Sequence, residues 1–211
     1  MNSDNISRYV STGSVFDEDE KTYRKFSFGP ALLTMMLGIV PAGVLKGYWA
    51  FMTIAMILIS IACIVTTFKL SEYGLTVQDS LCLDVVIFGS WTLILSFIEI
   101  MYFTIWKGFT PWFLLIYAPI IFIPLFVGMK IRQALKKENY NPKKMAKSGI
   151  GSVGFASGIL GMSFAAAFRN VEQSTAFIVG LLCLSILNGF MSLGLLSLQQ
   201  LYYMKKFKVN M

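Results

Sequence analysis

The chain contains no histidine. That absence removes histidine-ligated metals and haems, histidine-based catalytic triads and dyads, and histidine proton switches. Cysteine is scarce and odd in number: Cys63, Cys82 and Cys183 are isolated, each in or beside an apolar stretch. Without paired spacings they make neither a disulfide framework nor a zinc site, and they read as small embedded hydrophobes. Charged residues make up 14% of the chain, where a soluble domain carries about a quarter, so a water-facing surface of ordinary composition cannot be built from it.

Motifs of enzyme chemistry are missing too. There is no HExxH, GxSxG, Walker A or CxxC, and no pair of aspartates within apolar blocks. Serine–lysine catalysis would need both groups at one depth in a cavity, and every lysine lies at the boundary of an apolar block. The expectation is a protein that is not an enzyme and uses no metal or cofactor. A cleavable signal peptide is not expected either. Residues 1–29 are polar and carry the acidic run Asp17-Glu18-Asp19-Glu20, whereas a signal peptide places an apolar region directly behind a basic one.

What the chain does have is apolar residues, 56% of its 211, gathered in long blocks between short, mostly basic connections. This predicts an all-α integral membrane protein, a compact bundle of about six transmembrane helices. The expected spans are residues 30–45, 48–68, 81–106, 111–129, 151–168 and 176–204. They form one membrane domain over 29–204, preceded by a cytoplasmic tail (1–28) and followed by a second (205–211). In the first tail Asp17/Lys21 and Glu20/Arg24 stand at i,i+4 with the acid leading, which favours a short juxtamembrane helix. Tyr23, Phe26 and Phe28 would lie near the interface. The first span is short and broken by Gly38, Pro41 and Gly43.

Charge orients the bundle. With six spans and both termini cytoplasmic, 15 of the 18 Lys and Arg face the cytoplasm, and only Lys46, Lys107 and Arg169 face outward. The positive-inside rule favours this arrangement, and the expected location is the plasma membrane. The main basic stretch is the loop 130–148, with Lys136, Lys137, Lys143, Lys144 and Lys147 among its seven basic residues. It sets topology, and it could also hold anionic lipid at about 1 kcal/mol per basic residue. It lacks the aromatic and base-reading groups of a nucleic-acid surface, so no nucleic-acid partner is expected.

Two constellations stand out within the blocks. Thr92, Ser96 and Glu99 follow Gly89 at three- and four-residue steps, so they share one helix face. Glu99 is seven residues before Trp106, about 10 Å inside the outer boundary. A carboxyl at that depth should face the protein interior or a wet cavity. Two readings stay open: a cation, proton or polar-ligand site, or a structural role, with Glu99 neutral or paired with Lys46 or Arg169. Asp84, nearer the cytoplasmic end, is expected to reach water. A matching stripe of Ser185, Asn188, Ser192 and Gln199 runs along the last span, and a milder one of Thr53, Met56, Ser60, Cys63 and Thr67 along the second. Such stripes line cavities or act as interhelical hydrogen-bond glue.

The other constellation is a groove of small residues. Gly151, Gly154, Gly158, Gly161 and Ala165 recur at 3-4-3-4 spacing along span five, where a partner helix can approach closely. That partner is another helix of this chain, a second copy, or another membrane protein. Spans one and four both carry helix breakers (Pro41 with Gly43; Pro119 with Pro124). Inverted-repeat transporters do so near their sites, but proline is also common in membrane helices and the two halves share no residue pattern.

In size and helix number the chain resembles the six-helix substrate-binding subunits of vitamin importers and the small membrane immunity proteins of bacterial toxin systems. The likeness carries over no residues. Two functions follow as expectations: a non-enzymatic membrane protein working through contacts with other proteins in the bilayer, or a small solute or ion transporter with a polar interior around Glu99. Their discriminator is whether Glu99, Ser96, Thr92 and Asn188 converge on an open cavity or are sealed by packing.

Overall fold

Uninterrupted runs of Leu, Ile, Val, Phe and Met lack the two-residue alternation of a half-buried strand, and in an apolar medium their backbone is satisfied most simply as helix. The computed structural model describes residues 3–11, 20–38, 48–72, 74–108, 114–136 and 173–207. Every regular element among them is helical, and no strand occurs among them. In order these are α1 (Ser3–Ser11), α2 (Glu20–Ser27), α3 (Gly29–Leu33), α4 (Tyr48–Leu70), α5 (Val77–Lys107), α6 (Leu114–Lys136), α7 (Gln173–Met191) and α8 (Ser197–Phe207). α3 runs on into a π-helical turn, Thr34–Gly38, and a 3₁₀ turn, Ser192–Leu196, joins α7 to α8. Three stretches are long and apolar enough to cross a membrane: Ala50–Leu70, Val77–Ile105 and Gly180–Phe207.

Helix boundaries follow local chemistry that hydropathy does not register. α5 starts at Val77, not at residue 81, because Thr76 and Asp79 form a capping box. The Thr76 hydroxyl accepts from the Asp79 N–H and the Asp79 carboxylate accepts from the Thr76 N–H, each at 3.2 Å. The helix stops at Gly108, whose φ of 73° belongs to glycine. α6 continues past Met129 through Lys130 and Arg132 into the basic stretch, with Lys136 in its last turn. α2 begins at Glu20, ten residues before Pro30, with Glu20 and Arg24 paired at 3.9 Å. Span five with Gly151, Gly154, Gly158, Gly161 and Ala165, the lysines 137, 143, 144 and 147, and Pro41, Gly43, Lys46 and Arg169 lie outside the described residues.

α5 is the axis of the packing. α4 lies antiparallel against it, with Met56 among Ile94, Ile98 and Met101, and Cys63 beside Leu83 and Ile87. The α7–α8 segment also runs antiparallel to α5, since Asn188 meets Ser96, Gly194 meets Phe88, and Ser197 meets Asp84. α6, in contrast, runs parallel to α7–α8: Ile120 meets Ser192, Gly128 meets Leu196 and Gln199, and Ile131 and Leu135 meet Tyr203. Glycine allows the tightest approaches. A Cβ on Gly194 would overlap the Phe88 ring, and one on Gly29 would overlap Trp91.

The outer surface is apolar. Phe51, Ile54, Leu58, Ile61, Val65 and Phe68 recur at three- and four-residue steps along α4, all exposed, with Phe51 at 74%. Ile121, Phe122, Leu125, Phe126 and Met129 do the same on α6. Large exposed apolar bands around an interior that holds the polar side chains are the reverse of a water-soluble domain. The N-terminal stretch is not a free tail. Ile6, Tyr9 and Val10 of α1 are buried against Ile131, Leu135 and Tyr203, and Gln200 Nε2 donates to the Tyr9 carbonyl at 3.1 Å.

Candidate functional site: a closed polar interior

The helical repeat of 3.6 residues puts Thr92, Ser96 and Glu99 of α5 on one stripe and Ser185, Asn188 and Ser192 on another. The antiparallel packing of α5 and α7 turns the two stripes toward each other. Asn188 Nδ2 donates to Ser96 Oγ at 3.1 Å, and Ser96 Oγ in turn donates to the Thr92 carbonyl at 2.7 Å. Asn188 also stands beside Glu99. Glu99 and Asn188 have no exposed surface, Thr92 and Ser185 are buried, and Ser96 is half-buried.

Hydrogen bonding at this point is incomplete. Among the described residues, no donor reaches either carboxylate oxygen of Glu99 with hydrogen-bond geometry, and Asn188 Oδ1 and Thr92 Oγ1 are likewise buried without a partner. Burying a polar atom this way costs about 1–3 kcal/mol, and more for a charged one. Buried unmatched acceptors therefore mark a place where something else is bound or where the group is held neutral.

One turn further along, Ser192 solves a different problem. Pro124 has no N–H, so the Ile120 carbonyl loses its normal partner in α6. Ser192 Oγ lies 3.1 Å from that carbonyl and 2.6 Å from the Gly189 carbonyl, sharing its proton between them. This residue is a cross-helix tie. Gln199, last of the stripe, packs its Oε1 against Gly128.

The α4 stripe is inward as well: Met56, Ser60, Cys63 and Thr67 are buried, and Thr53 is half-buried. Its hydroxyls bond back along their own helix, Ser60 to the Met56 carbonyl and Thr67 to the Cys63 carbonyl, both at 2.8 Å. Thr34 Oγ1 lies 3.4 Å from Ser60 Oγ and ties the π-helical turn to α4. A cleft of about 360 Å³ runs between α4 and α5, lined by Ile59, Cys63, Thr66, Val86, Gly89 and Ser90 among others. It is mostly apolar and includes none of Thr92, Ser96, Glu99 or Asn188.

Asp84 corrects the expectation that it reaches water, since it is wholly buried. The Tyr23 hydroxyl, brought in by α2, lies 3.1 Å from Asp84 Oδ1 and 3.3 Å from the Ser80 carbonyl, and Ser197 Oγ donates to Asp84 Oδ2 at 3.3 Å. Next to it, Arg24 Nε donates to Ser71 Oγ at 2.9 Å and the guanidinium stacks over Phe68. The sequence signal for this node was the amphipathic spacing of α2, which puts Tyr23 and Ser27 on one face. What hid it was that Asp84 lies off the Glu99 stripe and meets α2 and α8 instead.

Among the described residues, no three His, Cys, Asp or Glu side chains cluster as a metal site. The α5–α7 contact offers one carboxyl, one amide oxygen and hydroxyls, a set of hard oxygen ligands without a nucleophile–base pair. Comparison with known protein families, curated proteins and solved structures finds no match for this chain.

Proposed function

We propose that this protein crosses the plasma membrane six times with both termini in the cytoplasm, and that it works without catalysis, through contacts with other membrane proteins inside the bilayer. The observation that carries the second part is the closure of its polar interior. Glu99 and Asn188 meet across α5 and α7 with no exposed surface, where a permanently open solute pathway would leave them wetted. An immunity-like inhibitor or an accessory subunit of a membrane complex fits such a closed bundle with apolar outer faces.

The parallel course of α6 and α7–α8 supports the sixth span. Lys136 ends α6 at the end of the bundle where α1 packs, whereas Gln173 opens α7 at the other end. The two described ends that flank residues 137–172 therefore lie at opposite ends of the bundle, and that part of the sequence contains the apolar stretch 151–168. The glycine stripe there is the proposed docking groove. Its partner would be a membrane protein or a second copy.

A second reading, a small solute or ion transporter, is favoured by the unmatched acceptors at Glu99, Asn188 and Thr92. Affinity capture in mild detergent, with co-purifying proteins and bound small molecules both identified, separates the two. The first reading expects a stoichiometric membrane-protein partner or a homo-oligomer that is lost with Gly158→Leu. A monodisperse, partner-free protein unchanged by that substitution would count against it.

A further inference from the structure

From the unmatched buried acceptors at the α5–α7 contact we infer that it is a binding site for a small monovalent cation, a sodium ion or a proton, held at the Glu99 carboxyl group beside Asn188. The argument rests on the arrangement of donors and acceptors. Both Glu99 oxygens and Asn188 Oδ1 are acceptors without a donor among the described residues, and both residues have no exposed surface. One N–H of the Asn188 amide goes to Ser96 Oγ and the Ser96 proton goes to the Thr92 carbonyl, so the second Asn188 N–H is what the amide has left to offer. A neutral amide donor would leave the negative charge of Glu99 unopposed in an apolar interior, which is costly.

No described element brings a fixed positive charge to this depth. α3, the π-helical turn, α7 and the 3₁₀ turn contain no charged residue at all. The charges of α2, α4, α6 and α8, including Lys69, Lys130, Arg132, Lys136, Lys205 and Lys206, are at the end of the bundle near Asp84, which is fifteen residues and about 22 Å along α5 from Glu99. On α5 itself Lys107 is eight residues, about 12 Å, further along the axis. Among the described residues, what is left to neutralise the site is a mobile cation. Carboxylate, amide oxygen and hydroxyl are ligands for a hard ion, and a proton on Glu99 would remove the charge at the same place. Such a site would serve a static hub and a carrier alike, so it stands apart from both readings of function.

The test uses the full-length protein in detergent, exchanged between sodium chloride and choline chloride at equal ionic strength. If sodium is the ligand, its presence raises the unfolding midpoint by about 3 °C or more, and Glu99→Gln removes that response. If a proton is the ligand, sodium has no effect, and the infrared spectrum contains a carboxylic-acid carbonyl band. That band is absent in Glu99→Gln, moved in frequency by Asn188→Ser, and kept in Asp84→Asn, which controls for the other buried acid. Should Glu99→Gln fail to fold, the sodium response of the unaltered protein and the effect of Asn188→Ser on the band decide the matter. An ionised carboxylate that responds neither to sodium nor to Asn188→Ser overturns the proposal, and would make Glu99 the partner of a fixed cation such as Lys46 or Arg169. Partner capture is independent of either result.

Discussion

The Tyr23 hydroxyl lies 3.1 Å from Asp84 Oδ1, joining α2 to a carboxyl that is completely buried in α5. Ser197 Oγ reaches the other oxygen from α8, so three elements widely separated in sequence meet at one acid. A buried carboxyl is tolerated when its oxygens are matched, and each match removed leaves an acceptor that water cannot rescue.

Tyr23→Phe keeps the ring in its pocket beside Cys63, Leu83 and Ile87 and deletes only the hydroxyl. The expected loss is about 1–3 kcal/mol, read as a fall of several degrees in the unfolding midpoint of the purified protein in detergent. Tyr23→Ala, which also empties the pocket, should cost more. An unchanged midpoint for Tyr23→Phe would mean that the hydroxyl does not support Asp84.

Ser192 and Pro124 form a testable couple. Ser192→Ala leaves the Ile120 carbonyl without a donor, because Pro124 cannot supply one. Intramembrane hydrogen bonds of this kind average about 0.6 kcal/mol, so the single substitution should be mildly destabilising. Pro124→Ala restores a backbone N–H four residues beyond Ile120, and in that background Ser192→Ala should cost less. Equal costs in both backgrounds would separate the two residues.

Gly194 lies under the Phe88 ring with no room for a side chain. Gly194→Leu should reduce the yield of monodisperse protein, and Phe88→Ala should partly restore it by giving up the space. If Gly194→Leu behaves as the unaltered protein does, the 3₁₀ turn does not hold α5 and α8 at this distance.

Orientation can be read with an impermeant thiol reagent on intact cells, after Cys63, Cys82 and Cys183 are replaced by alanine. Gly108→Cys, beyond the end of α5, should be labelled from outside. Ser7→Cys in α1 and Lys205→Cys in α8 should be labelled only after the membrane is opened. Labelling of all three from the same side would refute the six-span arrangement.

How far the sequence could be read depended on the scale of the feature. Helical class and the long apolar stretches follow from block composition, because a helix satisfies its backbone in lipid within a single segment, whereas strands would need a closed barrel and two-residue alternation. The inward faces of Ser60 and Thr67, of Ser96 and Glu99, and of Asn188 and Ser192 follow from a 3.6-residue period that is local to each helix. Boundaries did not follow, because a capping box at Thr76 and Asp79 acts over four residues, and a hydropathy window averages across them. Nor did the surroundings of Asp84. Its burial depends on Tyr23, 61 residues away, and Ser197, 113 away, and no single helix's periodicity contains that relation. The packing of α1 was visible only as Ile6, Tyr9 and Val10 at helical spacing. A nine-residue helix is too short to be stable alone, so its partner had to be seen first.

That partner matters for how the molecule is made. Tyr9 stands 191 residues ahead of Gln200, so α1 leaves the ribosome well before Gln200 and Tyr203, on which it rests. Ile6, Tyr9 and Val10 therefore have only part of their docking surface until α8 has been made. During that interval the emerging chain presents a short amphipathic segment that nothing yet holds as a helix. Biogenesis factors would meet it in that form, and a tag fused next to α1 or α8 would disturb this closing step before it disturbed anything inside the bilayer.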